Sequence, residues 1–333
     1  MDRSEVSRKT HAAFVCTALY ALGLAHGALA SEPAASYPTK PIRLIVAQGT
    51  GSSVDNMGRV LAARLTEEWG KQVIVDNRGG AGGTIGAEIA SRAAPDGYTL
   101  LMSSTAMQVI SPQIYKDLTY HPTKDFRQVS LIASTQNVMV ANTNQPFKSV
   151  KELLAYAKAN PGKINMANAG SGFQSHLAAV LFTSMANINV LHVPYKGGTS
   201  ITMVAGGESH VTIVPLPSAI AHLRAGRVIA IATGGEKRST ILKDVPTITE
   251  SGVPGYVSTG WAGIATPKAL PNPLFDRVYK TLVKVMNDPT TREMFERQGA
   301  ETMTSTPQEF LAHINAEYGR FTRAIKLAGL KVQ

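Results

Sequence analysis

The sequence predicts an α/β fold built from two similar sets of strands that alternate with helices. At residues 41–65 an apolar strand leads through a small-residue turn into an amphipathic helix. The same order recurs at residues 163–186. Strands that alternate with helices form right-handed units around a parallel sheet. We therefore expect two α/β lobes, each contributing one strand–turn–helix loop.

Composition and charge describe a globular protein suited to anions. The chain has 333 residues, of which 44% are hydrophobic and 17% charged, and its formal net charge is +10. That length exceeds one typical domain, so we expect two. The basic residues are scattered, with no basic helix or interleaved aromatic residues, so we expect no nucleic-acid partner. A positive field instead raises the encounter rate with anions.

Residues 1–30 predict a secretory signal peptide. Three basic residues precede an apolar run at residues 12–24, and Ala-Leu-Ala at residues 28–30 is a small-residue cleavage site. The alternative is a membrane anchor, for which the run is short. Cys16 lies in this segment and is the single cysteine of the chain. The mature protein would then have neither a disulfide nor a thiol nucleophile.

Further strands and helices complete the predicted order along the chain. Short apolar runs predict strands at residues 42–47, 72–76, 98–103, 129–133, 138–141, 163–167, 190–193, 211–214, 228–232 and 261–265. A capping box predicts that Ser149 begins a helix. Asn272, Asp288 and Thr306 each precede a proline, a pattern typical of an N-cap followed by the first helical residue. The strand near residue 261 is expected to rejoin the first sheet.

The two strand–turn–helix loops are the candidate binding elements. The first N–H groups of a helix lack intrahelical partners and lie at the positive end of the helix dipole, so they bind anions. The alternative for the first loop is an ordinary connection capped by Ser53. The second copy of the pattern favours an anion site.

Cofactor and metal chemistry find little support in the sequence. The Gly-x-Gly pairs at residues 49–51 and 80–82 are followed by Val54 and Ile85 where a dinucleotide motif needs a third glycine. There is no Gly-x-Ser-x-Gly elbow and no P-loop lysine. The eight histidines include no HExxH motif and no i,i+4 pair. We therefore expect no cofactor and no metal.

Three groups of polar residues have both a catalytic or binding interpretation and a structural one. His176 either braces the turn before its helix or contacts a ligand. Asp55 is a general base or, as is more common in a first helical turn, a partner of the helix dipole. Tyr195 and Lys196 form a proton relay or the polar rim of a cleft. Because no catalytic constellation emerges, we expect no enzyme.

Many short motifs together resemble one known family. In chain order they are YPTKPIRLIV, the turn ending in Asp55, DNRGGAGGTIGAE, APDGYTLL, NAGSG with SHLA, HVPYKGG, LPSA, LRAGR, DVPTITESGVPGY and STPQEF. Their order and spacing over residues 37–331 resemble the Bug-type substrate-binding proteins of tripartite tricarboxylate transporters. The resemblance implies a type II periplasmic-binding-protein fold with a hinge and an interlobe cleft. It also implies a periplasmic monomer that works with the membrane subunits of such a transporter.

The resemblance also implies lobe boundaries and a binding site. Lobe I is expected at residues 37–138 plus 259–333, and lobe II at residues 139–258. In that family the two strand–turn–helix loops hold a ligand carboxylate. The residues carried over as ligand-binding are Gln48, Gly51, Ser52, Ser53, Asp55, Ser103, Ser104, Asn168, Gly170, Ser171, Gly172, Phe173, His176, Tyr195, Lys196, Gly197 and Pro217.

This chain departs from the family pattern at several positions of the cleft. The family usually has Pro-Phe-x-Pro-Gly-Gly before its aspartate, whereas residues 47–53 here are AQGTGSS. It commonly has acids where His210 and Val214 stand, so this cleft is expected to suit an anion better than an ammonium group. Phe173 replaces a small residue and is expected to stack on a flat ligand.

The expected function is capture of a small organic carboxylate, either an aliphatic di- or tricarboxylate or an aromatic carboxylate. Lobe closure traps the ligand, which is delivered to a tripartite tricarboxylate-type transporter. One alternative is a sensor protein that presents its ligand to a membrane receptor. Another is a secreted enzyme on the same fold, which the missing nucleophile, metal set and cofactor motif disfavour.

Overall fold

The computed structural model describes residues 35–170, 173–196 and 199–330. Contacts group the described residues from 38 onward in the larger of two compact units. The predicted signal peptide at residues 1–30 lies outside the described residues. Within the described ranges, no helix is both long and apolar enough to cross a membrane.

The larger unit alternates strands and helices for most of its length. The strands are β1 Ile42–Val46, β2 Val73–Asn77, β3 Thr99–Ser104, β4 Phe126–Asn142, β5 Asn165–Asn168, β6 Leu191–Pro194, β7 Val211–Pro215, β8 Val228–Thr233, β9 Thr259–Pro267 and β10 Glu301–Thr302. The α-helices are α1 Ser53–Trp69, α2 Thr84–Ser91, α3 Ser111–Ile114, α4 Val150–Ala159, α5 Gln174–Met185, α6 Ser200–Ala205, α7 Leu216–Arg224, α8 Asn272–Asn287, α9 Pro289–Arg297 and α10 Pro307–Leu327.

The sheet contains two parallel sets of three strands joined by antiparallel strands. Its order is β2-β1-β3-β9-β4-β7-β5-β6, and β8 and β10 both pair with β4. Strand β1 is parallel to β2 and β3, and β5 is parallel to β6 and β7. Strand β9 pairs antiparallel with β3 and with β4. The predicted return of the chain near residue 261 to the first sheet is therefore confirmed.

Strand β4 differs from the sequence prediction. Two strands were expected, at residues 129–133 and 138–141, but one strand runs from Phe126 to Asn142. Its first part pairs with β9 and its last part with β7 and β8. Register shifts occur along the ladders with β9 and β8. Such irregularities bend a strand and raise its twist. The polar residues in the middle of β4 are thus paired within the sheet, so they do not end the strand.

The first parallel set is built around β1. Leu44, Ile45 and Val46 have no exposed surface, because helices cover both faces of the parallel strands. Helix α1 packs closely on β1, since a Cβ atom added to Gly58 would lie 3.2 Å from Cγ2 of Val46. This packing fixes the position of the turn between β1 and α1.

The helix caps agree only in part with the predictions. Ser149, Asp288 and Thr306 are N-caps whose side chains accept from the backbone N–H three residues on, as predicted. The cap predicted at Asn272 is wrong, because Pro271 takes that position and Asn272 is the first residue of α8. The cap predicted at Ser53 is also wrong by one residue. Ser52 caps α1 and accepts from the N–H of Asp55.

Candidate functional site

A cavity lies where the β1–α1 turn and the β5–α5 turn come together. It encloses about 620 Å³ of space not filled by atoms, including its opening to solvent. We call it the inner cavity. Its lining residues are Gln48, Ser52, Ser53, Val54, Met57, Ser104, Ala106, Thr135, Ala169, Phe173, Gln174, Ser175, Ser200, Val214, Pro215, Ser218 and Trp261.

The β1–α1 turn is held in shape by the buried carboxylate of Asp55, which is 1% exposed. Its Oδ2 accepts from the N–H of Gly51 at 2.8 Å, and its Oδ1 accepts from Nδ2 of Asn77 at 2.9 Å. Arg59, one helical turn along α1, adds an ion pair at 3.0 Å. The Asp55 side chain does not line the inner cavity. In this arrangement its carboxylate is occupied by groups of the protein itself.

The first turn of α1 presents unpaired donors to the inner cavity. Ser52 satisfies two N–H groups, since its Oγ accepts from Asp55 at 3.2 Å and its carbonyl from Asn56 at 3.0 Å. The N–H groups of Ser53 and Val54 have no acceptor among the described residues, and both residues line the cavity. Together with the helix dipole they provide an anion-binding position.

The β5–α5 turn presents a second helix start to the same cavity. The N–H of Gly170 donates to Oδ1 of Asn168 at 2.9 Å, and the N–H of Ala169 donates to Oγ of Ser175 at 3.0 Å. Helix α5 has Phe173 as its N-cap, without a side-chain cap hydrogen bond. Its first residues, Gln174 and Ser175, line the cavity, and their N–H groups have no acceptor within the described ranges.

The side chain of Gln174 on α5 and side chains from β9 and α7 complete the lining. The Nε2 of Gln174 and the Nε1 of Trp261 are buried and have no partner among the described residues. The N-terminal part of α7 contributes Ser218 to the lining. Asn56 on α1 donates from Nδ2 to the carbonyl of Pro217 on α7 at 3.0 Å. This hydrogen bond links the two sides of the cavity.

The inner cavity contains no charged side chain among its described lining residues. Val214, where the family pattern predicts an acid, is one of the apolar lining residues. His210 does not line the cavity, and its Nδ1 accepts from the N–H of Asn165 at 2.7 Å. An anion in this cavity would therefore meet hydrogen-bond donors and helix dipoles without a competing carboxylate. An ammonium group would meet no counter-charge.

A second, more open space adjoins the inner cavity, and we call it the outer chamber. It encloses about 1270 Å³, including open solvent. Its lining residues are Gly49, Thr50, Gly79, Gly80, Ala81, Tyr115, Ala169, Phe173, Pro194, Tyr195, Lys196 and Thr199. Ala169 and Phe173 line both spaces. The two spaces therefore adjoin at Ala169 and Phe173.

The structure brings seven of the seventeen predicted site residues to these two spaces. Those that line the inner cavity or the outer chamber are Gln48, Ser52, Ser53, Ser104, Phe173, Tyr195 and Lys196. Those that line neither are Gly51, Asp55, Ser103, Asn168, Gly170, His176 and Pro217. Ser171, Gly172 and Gly197 lie outside the described residues.

Two lining residues that sequence reasoning missed come from the antiparallel strands that join the parallel sets. Thr135 lies on β4 and Trp261 on β9, and both contribute to the inner cavity. Neither belongs to a local motif, so only the pairing of β4 with β9 places them at the cavity. The Gly79–Ala81 part of the glycine-rich turn after β2 was also missed, although its composition signals close approach of a backbone.

His176 lies beside the cavity but packs against another histidine. Its ring is 6.4 Å from that of His192, edge to face. Its Nδ1 is buried without a partner among the described residues. Burial lowers the pKa of His176, and the neighbouring His192 lowers it further. The side chain that braces the β5–α5 turn is instead that of Ser175, whose Oγ accepts from the N–H of Ala169.

Comparison with known proteins gives a consistent result. The sequence model described as the tripartite tricarboxylate transporter family receptor matches residues 57–330. Protein BugT of Bordetella pertussis is 32% identical over 309 residues, covering 92% of this chain and 95% of BugT.

Solved structures share the fold over most of the chain. The periplasmic binding protein BugD is 32% identical with a TM-score of 0.84, covering 89% of this chain and 100% of BugD. R. palustris Rpa4515, solved with adipate, is 30% identical with a TM-score of 0.86, covering 89% of this chain and 100% of Rpa4515. The α/β fold is therefore that of periplasmic binding proteins, as predicted.

Proposed function

The chain belongs to the tripartite tricarboxylate transporter receptor family, and on that premise we propose that it captures a small organic carboxylate outside the cytoplasm. It is a non-enzymatic solute-binding protein. It works as a periplasmic monomer and delivers its ligand to the membrane subunits of a tripartite tricarboxylate-type transporter.

The observation that carries this proposal is the uncharged inner cavity between two helix starts. The N–H groups of Ser53 and Val54 come from α1, and those of Gln174 and Ser175 come from α5. A hydrogen bond from a neutral donor to a charged acceptor contributes about 1.5–3 kcal/mol. The cavity is partly shielded from solvent. Four such donors therefore hold one carboxylate group without a contribution from a lysine or arginine side chain.

The relatives support the same class of ligand. Rpa4515 was solved with adipate, a dicarboxylate, and is 30% identical to this chain. The family description names a receptor of tripartite tricarboxylate transporters. The absence of acids from the described lining of the inner cavity fits an anionic ligand in this chain as well.

Capture proceeds by closure of two lobes, which we place at residues 37–138 plus 259–333 and at residues 139–258. Strands β4 and β9 connect the two parallel sets, and a few residues within such strands absorb the rotation. The hydrogen bond from Asn56 to the carbonyl of Pro217 stabilises the closed arrangement, in which α1 and α7 meet at the cavity.

A thermal-shift screen tests the proposal. The protein is first unfolded, dialysed and refolded to remove solute that it carries from its source. The panel contains aliphatic and aromatic carboxylates, amino acids and sugars. A ligand at one hundred times its dissociation constant stabilises the fold by about 2.7 kcal/mol, which is a shift of a few degrees in a chain of this size. Stabilisation by sugars or amino acids with none from carboxylates would disprove the proposal.

A further inference from the structure

We propose that a third cavity, built against strands β4 and β9, is a second binding site that takes a small organic cation. We call it the β4–β9 cavity. It encloses about 750 Å³, including its opening to solvent. The inference goes beyond the proposed function, because it does not depend on what the inner cavity binds.

The β4–β9 cavity lies on one face of three paired strands. Glu301 on β10 pairs with Ser134 on β4, and Ser134 pairs with Trp261 on β9. Directly paired residues point to the same face of a sheet, and Gln136, two residues after Ser134, shares that face. Helix α10 covers it, with the ring of His313 centred 5.5 Å from that of Trp261. All five residues line the cavity.

The inner cavity lies mainly on the opposite face of the same strands. Thr135 and Gly260 pair with each other and alternate with the residues of the first face. A Cβ atom added to Gly260 would lie 2.4 Å from Oε1 of Gln174, which lines the inner cavity. Thr135 and Trp261 border both cavities. The strands that join the two parallel sets therefore have a cavity on each face.

The β4–β9 cavity carries negative charge. Its described lining includes Glu301 and Glu317 but no lysine or arginine. Glu317 is neutralised by Arg320, which donates to its two carboxylate oxygens at 2.8 and 2.6 Å. Glu301 has no ion pair among the described residues, and its Oε1 accepts from the hydroxyl of Thr240 at 2.6 Å. The carboxylate of Glu301 is thus available to a cation.

Two further acceptors of this cavity lack a donor. The amide of Gln136 is oriented by Nε2, which donates to the carbonyl of Lys237 at 3.3 Å. Its Oε1 and the Nε2 of His313 are buried and have no partner in the described part of the chain. Burial lowers the pKa of His313, so its ring is neutral near pH 7 and one ring nitrogen can accept. A bound donor would satisfy acceptors that are costly to leave unpaired.

The lining favours an organic cation over a metal ion. Within the described ranges, no group of three or more His, Cys, Asp or Glu side chains could hold a metal. Leu216, Ile241 and Met303 contribute apolar lining. A primary ammonium group places three donors on one compact charge, and an apolar chain attached to it would cover these side chains. The site therefore matches an alkylammonium compound.

The two tryptophans of the chain provide a readout. Trp261 lines the cavity, whereas Trp69 donates its indole N–H to Thr281 at 3.2 Å and does not line it. Each indole N–H gives one resonance in a nitrogen-labelled sample of the refolded full chain, and Trp261→Phe assigns the pair. The titrants are n-butylammonium chloride, butan-1-ol of the same chain length, and sodium chloride at matched ionic strength.

We expect n-butylammonium to shift the Trp261 resonance to saturation and to bind at least about fivefold tighter than butan-1-ol, which is the size of effect that a partly exposed ion pair provides. Glu301→Gln should reduce that ratio to about one. The matched control is Glu208→Gln, because Glu208 is exposed and lies outside the described lining. This control should retain the ratio, and an unchanged Trp69 resonance shows that each variant is folded.

The wild-type titration alone can overturn the inference, whatever the variants do. Absence of a saturable shift at Trp261, a shift that sodium chloride reproduces, or equal binding of the ammonium compound and the alcohol would each do so. A ratio that survives Glu301→Gln, or one lost equally in both variants, would also overturn it. None of these outcomes bears on carboxylate binding in the inner cavity, which the thermal-shift screen tests separately.

Discussion

At the scale of single residues, Asp55 and its neighbours show how a buried charge shapes a binding turn without contacting the cavity. The carboxylate accepts from Gly51, Asn77 and Arg59. These bonds tie the turn to α1 and to the end of β2. The N–H groups of Ser53 and Val54 have no acceptor in the described part of the chain, whereas Ser52 and Asp55 accept from the other N–H groups nearby. The role of Asp55 in this arrangement is to position donors.

Asp55→Asn should therefore affect both stability and binding. The amide keeps the shape of the side chain but presents an NH₂ group where only donors face it. Hydrogen bonds to a charged group contribute about 1.5–3 kcal/mol each, and Arg59 is half exposed and can return to water. We expect a loss of about 1–3 kcal/mol in the free energy of unfolding, measured in urea. The exposed Asp244→Asn should stay within about 0.5 kcal/mol of wild type. Equal stability of both variants would refute this role.

Five partly buried histidines predict a dependence of stability on pH. Burial lowers the pKa of His176, His192, His210, His222 and His313 below the ordinary value. Because the folded pKa is below the unfolded one, the unfolded chain binds more protons at moderately acidic pH. The free energy of unfolding therefore falls as the pH drops below about 6.5.

A substitution in the His176–His192 pair tests that prediction. In urea titrations from neutral pH to about pH 5, above the range of ordinary carboxyl groups, the wild-type protein should lose stability steadily. His176→Asn removes the histidine whose pKa is lowered both by burial and by His192. The variant should lose less stability over the same range. A slope as steep as that of wild type would show that the pair does not contribute.

At the scale of elements, the two strand–turn–helix loops depend on backbone conformation. Gly51 has φ +79° and Gly170 has φ +89°, and a Cβ atom at either position would meet nothing closer than 4.0 Å. Substitution there is therefore opposed by the positive φ, which a β-branched residue rarely adopts, and not by a clash. The N–H groups that face the cavity depend on this turn conformation.

Gly51→Val should reduce both stability and affinity, and the chain offers a matched control. Gly162 has φ +73° with nothing within 4 Å of an added Cβ atom, and it precedes β5 at a distance from the cavity lining. Each valine variant should lose about 1–3 kcal/mol of stability from strain. In calorimetric titration only Gly51→Val should lose carboxylate affinity, by more than tenfold. Equal affinities of the two variants would exclude the β1–α1 turn from the binding site.

At the scale of the whole molecule, the sequence predicted the alternating elements and both loops but not how the two sets join. Strands such as β1 and β7 were placed to within a residue or two, because apolar runs and turn residues bound them locally. The continuous strand β4 was missed, since its polar centre is stabilised by pairing with β9, which is distant in sequence. Thr135 and Trp261 were missed as lining residues for the same reason.

The candidate site could be predicted where it depends on local order and not where it depends on tertiary contacts. The turns around Ser53 and Phe173 follow a local pattern, and both residues line the inner cavity. The part that Asp55 plays depends on Asn77, whose approach no local pattern signals, and on Arg59, which lies one helical turn along the same helix. Pro217 contributes a carbonyl to Asn56 and does not line the cavity.

The central claim is that the inner cavity binds an anion through neutral donors. Calorimetric titration of the refolded protein with pairs of a carboxylate and its isosteric primary carboxamide tests this most directly. The carboxamide keeps size and shape but removes the charge and places an NH₂ group among donors. For the most stabilising ligand of the thermal-shift screen, we expect the carboxylate to bind more than a hundredfold tighter than its carboxamide. The difference comes from the loss of charge-assisted hydrogen bonds, which contribute about 1.5–3 kcal/mol each. A carboxamide that binds as tightly as the carboxylate would contradict it.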